Sequence, residues 1–280
     1  EGRAAQAAAD YRAARRALRE LGLPFDEALT GIDMLVALGP DGAVVRAVGE
    51  TDTLMYPRSA NKPAQAAAML RCGLPLDGEL LALAAASHSG EDFHLMGARR
   101  ILAAADLDEG LLQNTPGWPL DEIAMLAYAR RGHEESSIAA DCSGKHAAML
   151  VTCAVNGWNV GDYLTPEHPL QVAIHDTIEE LAGEPVGPPG VDGCGAPLFA
   201  MTLTGLARTF RALALGPPDS AERQVVEAIR AHPQWTSGTL RDEARLIRSV
   251  PNLFAKAGAE GVYAAALDDG RAVALKIADG

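Results

Sequence analysis

The spacing of apolar residues changes period three times along the chain. In residues 3–21, Tyr11, Ala14, Leu18 and Leu21 fall on one helical stripe, and Gly22 followed by Pro24 supplies the stop. "IDMLVALGPDGAVVRAVG" then reads as a β-hairpin, with two β-branched runs around a Pro/Gly turn. From about 62 to 235 the pattern is mostly helical and rich in Ala and Leu. Segments 62–72, 78–87, 92–105, 121–131, 144–156, 168–182 and 221–231 are separated by Gly/Pro turns such as "NTPGWP" and "VGPPGVDGCGAP". The tail, "AEGVYAAALDDGRAVALKIADG", is again a hairpin, turning at "DDG". This order predicts an α/β (α+β) fold, in which one antiparallel sheet is built from both chain ends and flanked by helices, beside a helical part. We expect a single folded unit over 1–280, with the sheet part about 1–61 and 236–280 and the helical part about 62–235. Chemistry belongs at the seam between the two.

Composition narrows the partners. A chain of 280 residues, 48% hydrophobic and 22% charged, has the make-up of a soluble globular protein with a sizeable core. No apolar run reaches the length needed to cross a bilayer, and the first 22 residues carry Glu and Asp rather than the apolar centre of a secretory signal. A cytoplasmic protein is the expectation. A net charge of −13 argues against nucleic acid or an anionic membrane as the main partner. Cys72, Cys142, Cys153 and Cys194 are too sparse for a disulfide scaffold and read as free thiols or metal ligands.

Five clusters carry candidate chemistry. In "YPRSANKPAQAAAML", Ser59 and Lys62 stand one helical turn apart, as a nucleophile with its own base or as a solvated first turn. "AAASHSGED" places Ser87, His88 and Ser89 beside a glycine, either cradling a ligand or ending one helix and capping the next. "DCSGKHAAML" gathers Asp141, Cys142, Ser143, Lys145 and His146 ahead of a helix, whose N-terminus favours a thiolate. "GVDGCGAP" sets Cys194 beside Asp192 in a second Gly-rich loop. Both cysteines lie in polar loops, unlike Cys153 inside an apolar segment, which points to function as a nucleophile or as a metal ligand; for a metal, chemistry alone would offer His146 as the third ligand. Finally, Lys256-Ala-Gly258 precedes a strand, and acyl-transfer enzymes of the serine–lysine type pair an S-x-x-K with a K-[TS]-G, although here the middle hydroxyl is absent. A second ammonium beside Lys62 disfavours its charged form, so that it can accept the serine proton.

Together these strings resemble the Rhizobium-type (class 3, type II) L-asparaginase family. "PRSANKPAQA", "ASHSGE", "DCSGKH", "VDGCGAPL", "AKAGAEGVYA" and "ALKIADG" occur in family order over roughly residues 32–280. The resemblance implies a fold similar to serine β-lactamases and serine-dependent glutaminases, and the hydrolysis of L-asparagine to L-aspartate and ammonia. It implies two Ser–Lys pairs, Ser59 with Lys62 and Ser87 with Lys256, and a zinc ion held by Cys142, Lys145 and Cys194. Arg58, His88 and Asp192 become candidate anchors for the substrate's α-carboxylate and α-amine, and a homodimer is the expected assembly.

The N-terminus departs from the family pattern, with "FDEALTG" where an E-S-x-H-R-like string is expected, and the terminal helix of the family is missing after "KIADG". A circular permutation or redesign that moves this helix to residues 3–21 is the expected explanation. Two readings compete with an asparaginase. One is a Ser–Lys hydrolase of glutamine, a β-lactam or a peptide amide. The other is a catalytically inactive zinc-binding scaffold of the same fold.

Overall fold

The computed structural model describes residues 33–277. The expected 3–21 helix, and with it the permuted arrangement, lies outside the described residues. Strands β1 (Met34–Leu38) and β2 (Val44–Val48) form the hairpin expected around "GPDG". They are followed by short β3 (Leu54–Met55), then β4 (Pro189–Val191), β5 (Pro197–Phe199) and β6 (Met201–Thr202). β7 (Leu253–Gly258), β8 (Val262–Leu267) and β9 (Ala272–Lys276) close the chain. The main sheet is antiparallel throughout, in the order β2-β1-β9-β8-β7, so strands from both ends of the described chain meet at the β1–β9 pairing. β1 reads as an unbroken apolar run because Leu35 to Leu38 are buried on both faces.

The helices are α1 (Lys62–Arg71), α2 (Gly78–Ala84), α3 (Asp92–Ala103), α4 (Glu122–Arg130) and α5 (Ser143–Val155). They continue with α6 (Pro169–Ala182), α7 (Leu203–Ala214), α8 (Ala221–Ala231), α9 (Pro233–Thr236) and α10 (Asp242–Ser249). Two of them are central. α1 is buried from Lys62 to Met69 and α5 from Ser143 to Cys153, so neither has a solvent face. Their alanines are the consequence: α1 is packed by α5, α6 and α8, and small side chains let four helices approach one another.

Two differences from the sequence expectation matter. Lys256 and Gly258 lie within a strand, β7, rather than before one; the lysine interrupts an otherwise apolar run and hides it. α7 has no clear helical signal in the sequence, because Thr204, Gly205 and Thr209 weaken its local propensity. Its buried stripe of Leu203, Leu206, Phe210 and Leu213 faces β1, β8 and β9, and this packing overrides propensity.

The seam is set by Gly258. A Cβ at this position would stand 2.7 Å from Pro57 O, 3.0 Å from Ala60 N and 3.3 Å from Ser59 N. The Ser59 turn thus lies directly against the β7 backbone, as only glycine permits. Gly258→Ala is expected to destabilise the fold by about 1–3 kcal/mol in urea denaturation. Gly117→Ala, where the added methyl meets nothing nearer than 3.6 Å, is expected to change stability by less than about 0.5 kcal/mol. Equal effects at both positions would reject this account of the seam.

Candidate active site

The candidate residues gather where the two central helices begin. Arg58 to Asn61 form a 3-10 turn that runs into α1, and Arg58 has a positive φ of 51°. A non-glycine residue there stores on the order of 1 kcal/mol of strain, and its side chain shows what holds it. Arg58 Nε lies 2.9 Å from Asp192 Oδ1, and Arg58 Nη1 lies 2.5 Å from Glu260 Oε1. Ser59 follows, half-buried, and among the described residues its hydroxyl makes no hydrogen bond.

Lys62 is 2% exposed, with its amine directed away from water. It donates to Ala86 O at 2.8 Å and to Ser87 Oγ at 3.0 Å, with Asp141 Oδ2 at 3.5 Å. The expected pairing is therefore redrawn. Ser87 is the hydrogen-bond partner of Lys62, and Lys256 donates instead to Glu243 Oε1 at 3.1 Å and to Ala257 O at 2.8 Å. The reason is positional: Ser87 follows α2 on the loop facing α1, whereas Lys256 lies on an edge strand against α10. Asp141 sits among positive groups. Burial penalises its carboxylate, but Lys62, His88 and Lys256 outweigh that and lower its pKa.

The Ser87–Ser89 loop is pinned from both sides. Ser87 N donates to Thr236 O at 3.1 Å, His88 N to Asp141 O at 2.9 Å, and Ser89 N to Ser237 O at 2.7 Å. His88 is wholly buried, receives Gly90 N at Nδ1 over 3.1 Å, and has Nε2 at 2.9 Å from Ser143 Oγ. With both ring nitrogens occupied, it fastens this loop to the start of α5 and has no free nitrogen for a substrate, contrary to the expectation that it anchors one.

A second cluster lies one turn along α5. The ligand atoms of Cys142, His146 and Cys194 fall within 4.8 Å of one another, all buried, and Lys145 Nζ donates to Cys194 Sγ at 3.2 Å. The hydrogen bond from Cys142, helped by the Lys145 ammonium, holds the Cys194 thiol far below its usual range, while the same bond and burial push Cys142 up. Burial works against the Lys145 ammonium, but the two sulfurs beside it prevail and raise its pKa. His146 Nδ1 meets Tyr163 Oη at 2.9 Å, yet its Nε2 is buried without a partner. An orphaned imidazole nitrogen beside two cysteines is what a zinc site needs, so the donor set fits that metal, with Tyr163 orienting the ring. Lys145 fits as a ligand only after losing its proton, which metal binding drives. Asp192 completes the link: Cys194 Sγ lies 3.7 Å from its Oδ2, and Arg58 holds its other oxygen.

Asp141 was visible in the sequence as part of "DCSGKH" but had no role there; Glu243 and Glu260 carried no local signal. The lysine count is the stronger clue. The chain has four lysines, Lys62, Lys145, Lys256 and Lys276, among 24 lysines and arginines. Three of the four are at most 2% exposed and converge here, while arginine supplies the surface charge.

The family model described as L-asparaginase II matches residues 27–280. None of the curated proteins matches the chain in sequence. Among solved structures, native Mglu in 4.3M NaCl is similar at 17% identity and a TM-score of 0.49, over 97% of this chain and 63% of that one. The chain thus spans less than two thirds of that protein's length. A β-lactamase from Mycobacterium bovis aligns at 16% identity and a TM-score of 0.44, over 94% and 91% of the two chains. EstCE1, a hydrolase with promiscuous acyltransferase activity, aligns at 13% and 0.44, over 88% of each. No helix among the described residues is long and apolar enough to cross a membrane.

His94 stacks on His88 at 4.9 Å behind the loop, and burial lowers its pKa from 6.5 to about 4. A histidine buried neutral contributes stability that is full above pH 6.5 and is lost as the pH falls toward 4, because the unfolded chain takes up the proton first. Denaturation at pH 7 and pH 4 is expected to show a loss larger in the wild type than in His94→Gln, by up to about 3 kcal/mol. Parallel losses in the two proteins would remove His94 as a cause.

Proposed function

We propose that this chain, which belongs to the L-asparaginase II family, hydrolyses the side-chain amide of L-asparagine to L-aspartate and ammonia through an ester on Ser59. The observation that carries the reading is the half-buried Ser59 hydroxyl, which among the described residues makes no hydrogen bond, on a strained turn that runs into buried Lys62 and lies against the strand that bears Lys256. A hydroxyl becomes a nucleophile when an uncharged amine close by can take its proton.

In this mechanism Lys62 accepts the Ser59 proton as Oγ attacks the amide carbon. Backbone N–H groups at the Ser59 turn receive the oxyanion. The C–N bond then breaks, and the proton held by Lys62 passes to the departing nitrogen, with Ser87 Oγ in the path, since it already contacts Lys62 Nζ. Water next attacks the aspartyl ester with Lys62 again as base, releasing aspartate and restoring Ser59. The Arg58–Asp192 ion pair has the charge pattern of a free amino acid: Arg58 takes the α-carboxylate and Asp192 the α-ammonium. Cys142, Cys194, His146 and Lys145 would hold zinc. When bound, zinc supplies fixed positive charge at the Asp192 loop and keeps both sulfurs as thiolates.

Ammonia release from L-asparagine, L-glutamine and buffer alone decides the reaction. Asparagine-dependent release is expected, falling at least about a thousandfold in Ser59→Ala, with zinc content unchanged by elemental analysis. Preference for glutamine would reassign the substrate, and turnover surviving in Ser59→Ala would reject the nucleophile. Cys194→Ala is expected to lose the zinc; full zinc content in that variant would reject the ligand set.

A further inference from the structure

Lys256 and Glu243 form the one ion pair among the described residues in which both partners are nearly fully buried, at 0% and 1% exposure. Such pairs contribute little net stability, because removing both charges from water costs about as much as their attraction returns. The question is what the charge does here.

Glu243 Oε1 accepts two hydrogen bonds, from Lys256 Nζ at 3.1 Å and from Ala257 N at 2.8 Å. β7 is the edge of the main sheet, so the N–H of Ala257 has no strand to receive it, and the carboxylate caps it. One oxygen thus fixes both the amine and the backbone that carries it. Lys256 and Gly258 lie two residues apart on the same face of β7, and Gly258 is the point where the Ser59 turn rests. Among the described residues, the charged and titratable groups around this amine come from several elements. Glu243 comes from α10 with Arg241 just ahead of it, Lys62 from the start of α1, Asp141 from the loop before α5, and Tyr263 of β8 stands beside Glu243. Burial lowers the pKa of Lys256, Glu243 opposes this, and Lys62 adds to it.

We propose that Glu243 is a positioning residue for amide hydrolysis, holding Lys256 as an ammonium ion at a fixed place beside Lys62 and the Ser59 turn. The inference rests on the reading of Ser59 and Lys62 as the hydrolytic pair. The ammonium does not attack or transfer a group; it supplies positive charge beside the Ser59 turn that steadies the oxyanion. Without the carboxylate, Lys256 sheds its proton more easily and loses its fixed direction.

Lysine labelled at Cε with carbon-13 gives four side-chain signals in this chain, and that of Lys256 is assigned by its loss in Lys256→Met. Titrating the wild type and Glu243→Gln is expected to lower the Lys256 midpoint by about one pH unit or more. An unmoved midpoint overturns the proposal. In parallel, kcat for the preferred amide is expected to fall about a hundredfold in Glu243→Gln, with KM less affected and the pH profile of kcat changed. A uniform scaling of an unchanged profile indicates a structural role only and overturns it. If Glu243→Gln does not fold, the double variant Glu243→Gln/Lys256→Met removes both charges and is expected to fold but turn over poorly; turnover at the wild-type rate overturns the proposal. A wild-type chain that releases no ammonia from either amide rejects the hydrolytic reading, and the lysine titration then decides the hold of Glu243 on Lys256.

Discussion

The site depends on enclosing lysine amines where water cannot reach them. A buried ammonium is costly unless oxygen or sulfur meets it, and each enclosed lysine here has its own solution. Lys62 is met by a carbonyl and a hydroxyl with a carboxylate nearby, Lys256 by a carboxylate and a carbonyl, and Lys145 by a sulfur. These partners come from the loop after α2, the start of α5, α10 and the Asp192 loop. Satisfying three amines therefore joins segments far apart in the chain. Arginine could not replace them: its guanidinium stays charged, whereas an amine can give up its proton when its surroundings require it.

The same constraint explains the two central helices. α1 and α5 bury themselves almost completely and both place candidate residues in the first turn, where unpaired backbone N–H groups gather. Burying the rest of each helix leaves these N-terminal turns no room to wander. Gly144 shows how tight the fit is, since a Cβ there would lie 2.5 Å from Leu83 O at the end of α2. That contact brings the start of α5 against the loop that carries Ser87 and His88.

Much of this was legible in the sequence, and the rest was not for physical reasons. The hairpins at 34–48 and 262–276 announce themselves by their turns, and the helical middle by its period. Ser59, Lys62, Cys142 and Cys194 stand out because polar residues interrupt apolar segments or glycine-rich loops. Spacing along the chain, however, says which residues share a face, not which partner a flexible amine will choose. Lys62 reaches across to Ser87, 25 positions away, and Lys256 to Glu243 on a helix whose own pattern carries no sign of a site. His88 is the opposite case, a residue whose neighbours in sequence look functional but whose ring is used up in holding the loop.

The two clusters also communicate. Cys194 Sγ touches Asp192, Asp192 pairs with Arg58, and Arg58 holds the positive φ immediately before Ser59. A strained residue keeps its conformation only while its surroundings over-determine it, and here those surroundings are two carboxylates, one of them on the loop that carries a candidate metal ligand. Any charge change at Cys194 therefore alters the field at Asp192 and, through Arg58, the rigidity of the turn that presents Ser59. Glu260, on the β7–β8 turn, is the second clamp and is anchored in its own right, since Lys276 Nζ donates to its carbonyl at 2.8 Å. The sheet thus steadies the Ser59 turn from one side while the cysteine loop steadies it from the other.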